Sequence, residues 1–570
     1  MIRMIIWHLG NTTVRSPFRL RDGLIALRNS KYEGNLRGED SERAFCQVLK
    51  NASVVSLSDD VTYSIGRKWR SALNQLGFLY PRLPAKHGNT QSSLGQIDTI
   101  TKNGERLIST TSVSAWQECF LRSLAAYYIP SIIENRYSCN AFSPLRLTLF
   151  VMQKLREITG DSKLNFLEMA LFVQLSCNDD DLDVIVKDII NFRNMREKSK
   201  RKRKYDTDAL EKAAKIYKKQ SSTFKDYADT NFRYLKATGL VQSKGKGIAL
   251  VPDKRVLIEK LISEEEIPDD GLSYLTNLCD GAKLPYDKMD GAKAVLEDLQ
   301  KQLKDRGKKF NLINRKLDTP ADMAVVRYEM QDRIAELNEE EYASQQANKI
   351  EEITEYIDLL VRNRNRKKLS NDDEIVIPKN EMPAYFEWII WRAFLAINSL
   401  INKPWDARQF KIDQDFLPVG TAPGGRPDMV FEFDNMVLVV EVTLTRSSRQ
   451  EAAEGEPVRR HVAKYAEEFK GSGKKVFGLF LAIVIDTNTA NTFRLGEWYL
   501  ADDNKLGLHI VPVSLEDFNK MLIAGMNTTN ALLLEIKSFI ENCRAIAAKN
   551  DAPSWKREIS NLTDSVASKF

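Results

Sequence analysis

The stretch Gly425–His461, GRPDMVFEFDNMVLVVEVTLTRSSRQEAAEGEPVRRH, decides the fold of the last third of the chain. It predicts two β-strands, RPDMVFEF and NMVLVVEVTL, which are joined by a turn at Asp434-Asn435. A helix is expected next, EPVRRHVAKYAEEFK, with Pro457 in its first turn, where proline is favoured.

Elements of the same kinds flank this stretch within residues 379–570. Pro383–Leu400 has the pattern of a strong helix, and Lys475–Ile485 and the segment LHIVPVSL have the composition of buried strands. The order helix, strand, strand, helix, strand predicts an α/β domain with a mixed sheet.

Two acids stand out because of their places on the adjoining strands. Asp428 opens the first strand, and Glu441 lies near the end of the second, after the apolar run Val437–Val440. A carboxylate at the end of a buried strand is costly unless it is paired or binds a cation. Two such carboxylates can converge on one Mg²⁺, which would polarise a phosphodiester and generate the attacking hydroxide. Alternatively, Asp428 simply ends a turn after Pro427.

Other polar residues could complete an acidic site, and each also has a purely structural explanation. Glu387 lies close to the apolar face of its helix, where it could instead pair with Arg392. Glu456 is expected to begin the next helix, where the dipole also favours an acid as a cap. His461 and Lys464 could orient water or contact phosphate, although His461 could equally be a histidine at the edge of the core.

Four short motifs resemble the AlwI family of type IIS restriction endonucleases. They are F-E-W at 386–388, PD-M at 427–429, E-V-T at 441–443 and E-P-V-x-R-H at 456–461. The resemblance extends more weakly to the N-terminal half, through TNFRYLKATGL at 230–240.

The resemblance implies a PD-(D/E)XK nuclease domain over residues 379–570. The acids that it carries over to the catalytic site are Glu387, Asp428, Glu441 and Glu456. One feature departs from the wider E-x-K pattern, because Thr443 stands where a lysine is usual. The group that positions or deprotonates water is therefore open, and the candidates are Glu456, His461 and Lys464.

The resemblance also implies a function and partners. The enzyme is expected to recognise a short asymmetric site in double-stranded DNA and to cut outside it, with Mg²⁺ as cofactor and Mn²⁺ as a substitute. Cutting both strands would need a transient homodimer or a second subunit, and a cognate DNA methyltransferase is expected in the host. Open alternatives are a nicking endonuclease of this family, a repair or mobile-element nuclease that recognises DNA structure, and a DNA-binding regulator with a degenerate nuclease domain.

The N-terminal half predicts two winged-helix-like DNA-recognition modules, residues 1–135 and 136–265. The order helix, glycine, hairpin occurs twice, first from the helix Tyr63–Gly77 and again from Thr223–Leu240 into VQSKGKGIALV. Residues 266–378 predict a helical linker, in which Thr319-Pro320 marks a helix start. We thus expect a multidomain fold: a mainly α N-terminal half, a helical spacer and a C-terminal α/β nuclease domain.

Three segments of the N-terminal half supply the side chains expected to contact DNA. These are Arg67, Lys68 and Arg70 in the first module, Lys225, Asn231, Arg233 and Lys236 in the second, and Lys200, Arg201 and Arg203 of the run Lys200–Lys204. The basic run would neutralise phosphates, although a solvated loop is the alternative.

Composition limits the remaining classes of function. The 570 residues have a net charge of +6, which permits a polyanionic partner without requiring one. None of the six cysteines is at CxxC spacing, which disfavours a zinc site or a disulfide framework. No stretch reaches the roughly 20 apolar residues of a membrane span, so we expect a protein of the bacterial cytoplasm without a membrane partner.

Overall fold

The computed structural model describes residues 5–55, 64–177, 180–264, 267–369, 374–378, 381–525 and 527–570. The chain divides into an N-terminal unit, Met1–Ile334, and a C-terminal unit, Ala335–Phe570. Within the described ranges, every helix falls short of the length or the apolar character needed to cross a membrane.

The N-terminal unit is mainly helical. Its helices and strands are α1 (Arg19–Arg28), α2 (Glu39–Asn51), α3 (Ser64–Gln75), α4 (Gly88–Leu94), α5 (Lys102–Ser109), α6 (Val113–Ala126), α7 (Pro144–Thr159), β1 (Leu164–Asn165), α8 (Phe166–Leu171), α9 (Leu182–Lys198), α10 (Lys202–Tyr217), α11 (Ser221–Ala237), β2 (Val241–Lys244), β3 (Gly247–Leu250), α12 (Arg255–Ser263), α13 (Gly271–Asp280), α14 (Met289–Asp305) and α15 (Pro320–Ser344), the last of which continues into the C-terminal unit.

The second expected helix–glycine–hairpin order is present. Helix α11 is followed by Gly239, whose φ of +69° is a left-handed conformation that glycine adopts without strain. Strands β2 and β3 then pair antiparallel around Gly245, and β1 joins β3 as a third antiparallel strand. The hairpin is therefore part of a small sheet that packs with the helices.

The first expected hairpin is absent from the described residues after α3. Tyr63, where its helix was expected to begin, lies outside the described residues, and the helix ends before Gly77 as predicted. Leu79 and Ile100 form only a single antiparallel bridge, and α4 lies between them. Pro81 and Pro84 explain the difference, because proline has no N–H to donate to a strand ladder.

The helices of residues 266–378 pack into both units rather than standing apart from them. Leu296, Leu299 and Leu303 of α14 are buried in the N-terminal unit, whereas Ile353 and Ile357 belong to the core of the C-terminal unit. The apolar faces that predicted these helices required partners, and neighbouring helices supply them. Helix α15 begins at Pro320, as predicted.

The C-terminal unit alternates helices and strands. They are α16 (Ile350–Val361), β4 (Arg366–Lys368), β5 (Glu374–Val376), α17 (Met382–Ile397), α18 (Pro404–Ala407), β6 (Met429–Glu432), β7 (Met436–Thr443), α19 (Arg449–Glu468), β8 (Lys475–Ala482), α20 (Thr487–Leu495), β9 (Glu497–Tyr499), β10 (Lys505–Gly507), β11 (Ile510–Ser514), α21 (Leu515–Gly525), α22 (Thr529–Ala547) and α23 (Ala552–Ala567).

A four-stranded mixed sheet forms the centre of this unit, as predicted. Its strand order is β11-β8-β7-β6, with β6 antiparallel to β7 and the other two pairs parallel. Strands β7 and β8 are almost entirely buried, which is why their sequences are continuous apolar runs. The register pairs Met429 with Val440, so Asp428 and Glu441 lie at the same end of neighbouring strands.

The helix after β7 differs from the prediction at its start. Helix α19 begins at Arg449, and Pro457 lies inside it rather than in its first turn. The predicted start relied on the preference of proline for the first turn, but the chain tolerates this proline within a long helix. Glu456 is consequently a mid-helix residue and not a cap.

Candidate active site

Asp428 and Glu441 converge at the junction of β6 and β7. The backbone N–H of Asp428 donates to Oε2 of Glu441 at 3.3 Å, and the backbone N–H of Val442 donates to Oδ2 of Asp428 at 2.8 Å. Each strand therefore holds the carboxylate of the other in place. The pair is a direct product of the antiparallel register.

Glu387 of α17 completes a group of three acids. Its side chain is buried, and its Oε2 accepts the backbone N–H of Ala422 at 2.7 Å. Burial raises the pKa of Glu387 well above its ordinary value, and the charges of Asp428 and Glu441 raise it further. Arg392 does not pair with Glu387, because its guanidinium donates to Gln346 and Glu352, each at 2.7 Å.

The electrostatics of the group favour a cation. Burial raises the pKa of Asp428 well above its ordinary value, and the charge of Glu441 adds to the effect. Burial likewise raises the pKa of Glu441 to about 8. Among the described side chains, no lysine or arginine forms an ion pair with Glu387, Asp428 or Glu441. Glu387 and Glu441 are buried and Asp428 is half-buried. Carboxylates that lie together without a basic partner among the described residues repel one another, and a bound cation would remove that repulsion.

His461 of α19 contacts this group directly. Its Nδ1 lies 2.5 Å from Oε1 of Glu441, and its buried Nε2 has no hydrogen-bond partner. Burial lowers the pKa of His461, and the nearby charge of Arg460 lowers it further. Burial therefore opposes the charged form of both partners, the imidazolium of His461 and the carboxylate of Glu441.

Glu454, which the sequence interpretation passed over, faces the site in place of Glu456. The charge of Glu454 raises the pKa values of both Asp428 and Glu441, so its carboxylate lies within their electrostatic reach. Glu456 instead points to solvent and pairs with Arg460 at 2.9 Å. Helical spacing could have revealed this, because Glu454 precedes His461 by two turns on one face of α19.

Thr443 occupies the position at which an E-x-K motif has its lysine. It lies two residues after Glu441 on β7, so both side chains are on the same face of the strand. Its hydroxyl hydrogen-bonds to Glu454 and lowers the pKa of that acid, which burial raises overall. The threonine therefore positions an acid instead of supplying a positive charge.

Comparison with known families decides the family of the chain. The family model described as AlwI restriction endonuclease matches residues 74–521, which is well over half of the chain. The chain belongs to the AlwI restriction endonuclease family. It is accordingly a site-specific deoxyribonuclease.

The chain is similar to the small subunit (R.BspD6I2) of the heterodimeric restriction endonuclease R.BspD6I, with 21% identity and a TM-score of 0.28, over 36% of this chain and 97% of that chain. A search of curated proteins finds no match.

The acids of this AlwI-family chain suit a hard divalent cation. Within the described ranges, no group of three or more His, Cys, Asp and Glu side chains is close enough to form a complete metal cage. Mg²⁺ does not require one, because it keeps several waters and uses one or two protein carboxylates together with substrate oxygens. Asp428 and Glu441 provide such a pair of oxygen donors, with Glu387 beside them.

A buried glutamine holds the strand ends beside the site. Gln450 of α19 donates from Nε2 to the carbonyl oxygens of Thr445 at 2.7 Å and Val484 at 2.9 Å. Its Oε1 accepts the backbone N–H of Asp486 at 2.9 Å. This side chain ties the segments that follow β7 and β8 together, and nothing in the sequence pattern had indicated it.

The side chains expected to contact DNA in α11 are mostly engaged within the protein. Asn231 is fully buried, and its Oδ1 accepts the backbone N–H of Leu9 at 2.8 Å, so its predicted contact with DNA is wrong. Arg233 pairs with Asp229 at 2.9 Å, and Lys236 donates to Ser243 at 3.1 Å. Lys225 is exposed. Helical spacing alone could not separate the buried from the exposed polar positions.

The other expected DNA contacts of this AlwI-family chain differ in exposure. Arg67 is exposed and Lys68 is half-buried, whereas Arg70 donates to the carbonyl of Leu36 and pairs with Glu42 at 2.9 Å. The run Lys200–Lys204 is exposed where α9 passes into α10. The outward-pointing cations Lys200, Arg201 and Arg203 are thus available to a polyanion, whereas Lys202 pairs with Glu197 at 2.5 Å.

Proposed function

We propose that this chain is a type IIS restriction endonuclease that recognises a short asymmetric site in double-stranded DNA and cuts at a fixed distance outside it. The observation that carries the proposal is the convergence of Asp428 and Glu441, with 3.3 Å between the backbone nitrogen of one and Oε2 of the other. This acidic group and the mixed sheet support a PD-(D/E)XK core, and family membership supports DNA as the substrate.

Asp428 and Glu441 would hold Mg²⁺, for which Mn²⁺ can substitute, with Glu387 beside them. The bound ion would polarise the scissile phosphate and acidify a water molecule. The water oxygen bonds to phosphorus while the bond from phosphorus to one sugar oxygen breaks, and that oxygen takes up a proton. His461 can accept the proton that Glu441 must release before it binds a cation. Glu454, held by Thr443, is our candidate for the group that accepts a proton from water.

In this proposal, the N-terminal unit recognises the DNA sequence. Acids that cleave a phosphodiester provide no base-specific contacts, so sequence must be recognised elsewhere in the protein. The N-terminal unit has the exposed basic run Lys200–Lys204 and the exposed Arg67. A separate recognition unit is the physical basis for a cut outside the recognised site.

Double-strand cleavage requires a second active site. The described part of the chain has one such acidic group, so one chain cuts one strand at a time. We propose that a transient homodimer or a second subunit cuts the other strand. A methyltransferase that modifies the same site would protect the DNA of a bacterial host whose cytoplasm contains the enzyme.

Digestion of a plasmid of known sequence in Mg²⁺, followed by run-off sequencing of the ends, tests the proposal. We expect every end to lie at one fixed distance to one side of a common asymmetric motif, and E441Q to leave the plasmid intact. Ends within the motif, or ends without a common motif, would refute the type IIS assignment. Cutting by E441Q at the wild-type rate would refute the site.

A further inference from the structure

A basic cleft of about 640 Å³ lies in the N-terminal unit, remote in sequence from the acidic site. We name it the Arg67 cleft. One wall is a face of α3, on which Arg67, Ser71 and Asn74 follow one another at helical spacing. Five arginines line the cleft: Arg37, Arg67, Arg70, Arg82 and Arg136. Glu134 is its only acidic lining residue among those described, so the cleft suits a polyanion.

The five arginines divide into two kinds. Three are held by acids: Arg37 by Asp98 at 2.7 Å, Arg70 by Glu42 at 2.9 Å and Arg136 by Glu134 at 2.6 Å. Arg67 and Arg82 are exposed and form no ion pair with the described residues. The acids neutralise the three paired arginines, so the net positive charge of the cleft comes from Arg67 and Arg82, whose exposed guanidiniums are available for direct contacts with phosphate.

Two amide side chains, Asn74 and Gln75, also line the Arg67 cleft. Asn74 Oδ1 and Gln75 Oε1 are both buried without a hydrogen-bond partner, a costly condition that a ligand donor would relieve. Nε2 of Gln75 is fixed by Tyr127 at 2.8 Å and by Glu134 at 3.2 Å. An asparagine amide can pair with the edge of adenine, and Oε1 of Gln75 can accept a hydrogen bond from a base amino group. Exposed cations and unpartnered amide oxygens that line one cleft match phosphates and base edges.

We propose that the Arg67 cleft receives one strand of double-stranded DNA at the recognised site, with Arg67 and Arg82 on phosphates and Asn74 and Gln75 on base edges. This inference rests on the proposed function and names the surface that provides its specificity. A single phosphate would fill only a small part of the cleft, whereas a nucleotide with its neighbours would reach the arginines and the amides together.

Binding measured without cleavage tests the inference. The full-length chain carrying E441Q is incubated in Mg²⁺ with duplexes that contain a randomised central segment, and the bound fraction is sequenced. The enriched duplex is then titrated at several salt concentrations. Arg67→Ala, Arg82→Ala and Asn74→Ala are compared with Lys50→Ala, a control at an exposed cation of α2 that does not line the cleft. Thermal unfolding confirms that each variant is folded.

Arginine and amide variants should behave differently. We expect Arg67→Ala and Arg82→Ala each to weaken binding of enriched and scrambled duplexes alike, by about tenfold, and to lower the salt slope by about one. Asn74→Ala should relax base preference at one or two positions of the motif, and Lys50→Ala should change neither property. Should Asn74→Ala fail to fold, the exposed Arg67 and Arg82 still decide the matter.

Different results would contradict the assignment of the cleft and the proposed function. If the parent protein enriches a motif and the cleft variants equal it in affinity, salt slope and motif, the cleft assignment is wrong while the proposed function stands. If the parent enriches no motif and the unmodified chain leaves DNA uncut, the proposed function itself is wrong, and the inference that rests on it is overturned.

Discussion

Glu454 and Glu456 are two residues apart on α19 but occupy opposite environments. One lies within electrostatic reach of Asp428 and Glu441, and the other pairs with Arg460 in solvent. They form a natural matched pair of variants. We expect Glu454→Gln to slow cleavage at least tenfold, about 1.4 kcal/mol in activation free energy, and Glu456→Gln to leave it unchanged. Initial rates on a supercoiled plasmid measure both, and equal rates for the two variants would contradict our assignment.

The repulsion among the buried acids predicts how the protein responds to a divalent ion. A ligand that binds only the folded state raises stability, by about 2.7 kcal/mol at one hundred times its dissociation constant. We expect Mg²⁺ to raise the unfolding temperature of the wild-type chain and to have little effect on D428N. In the absence of metal, D428N should be at least as stable as the wild type, because it removes one of the mutually repelling carboxylates. Differential scanning calorimetry measures both effects, and an equal Mg²⁺ response of the two proteins would contradict the metal site.

Some residues of the candidate site could be predicted from the sequence, and others could not. Asp428 and Glu441 were predictable because strand alternation and an apolar run place both at strand ends. Glu454 was missed because Pro457 predicts a start for α19 that lies after Glu454, whereas the helix begins at Arg449. Asn231 was misplaced because a polar residue on an amphipathic helix is normally exposed, whereas here three hydrogen-bonding groups of the core surround it.

Gln450 shows how one element is fastened to its neighbours. Its three hydrogen bonds join α19 to the segments after β7 and β8. Gln450→Ala leaves two carbonyls and one N–H without this partner, and we expect a loss of about 3 kcal/mol in unfolding free energy. Arg449→Ala, at the exposed neighbouring residue, is the control. Urea unfolding provides the measurement, and a loss in Gln450→Ala no larger than in the control would refute this role.

A buried charge cluster joins α6 to α15 in the N-terminal unit. Glu118 of α6 accepts hydrogen bonds from Arg327 at 2.8 Å and Tyr328 at 2.7 Å and pairs with Arg122 at 2.8 Å. Burial by itself raises the pKa of Glu118, but the charges of Arg327 and Arg122 outweigh it and lower this pKa to about 2.

A lowered carboxyl pKa has a definite consequence for acid stability. Glu118 is ionised in the folded state down to about pH 2, whereas its unfolded value is 4.5, so its contribution is complete above that value and is lost as pH falls towards 2. We expect Glu118→Gln to lose about 3 kcal/mol at pH 7 and the difference from wild type to shrink below pH 4.5. Urea unfolding at several pH values checks this, and a difference that stays constant with pH would contradict it.

Whether a segment forms a helix or a strand could be predicted from its periodicity. Where it begins and ends depends on tertiary contacts that the sequence does not show. The apolar runs predicted β7 and β8, and the helical spacing of leucine predicted α14. The hairpin expected after α3 does not form in the described residues. Pro81 and Pro84, which follow α3, lack the N–H that a strand ladder requires. The hairpin after α11 was predictable because glycines stand at both its entrance and its turn.

The whole molecule consists of two units, one with the acidic group and one with the basic cleft. The helical pattern of residues 266–378 predicts a linker, yet those helices complete the cores of both units. Periodicity reports that a helix has an apolar face, but it does not report which neighbour covers that face. The division of the chain could therefore not be placed from sequence.

The single acidic group of this kind in the described part of the chain predicts the order of products. We expect supercoiled plasmid to become nicked first and linear later, with the linear fraction rising as the enzyme concentration rises, because a second copy must meet the first. A time course on agarose gels at several enzyme concentrations measures this. Linear product that forms without a nicked intermediate, at a rate proportional to enzyme concentration, would contradict one active site per chain.

The account depends on Asp428 and Glu441 acting together on a DNA phosphodiester through a divalent ion. The most direct measurement compares wild type, D428N and E441Q for plasmid cleavage with Mg²⁺ and with EDTA, alongside binding to the enriched duplex. We predict cleavage by the wild type in Mg²⁺ alone, none by either variant, and equal DNA binding by all three. Cleavage in EDTA, or wild-type rates in either variant, would contradict the account.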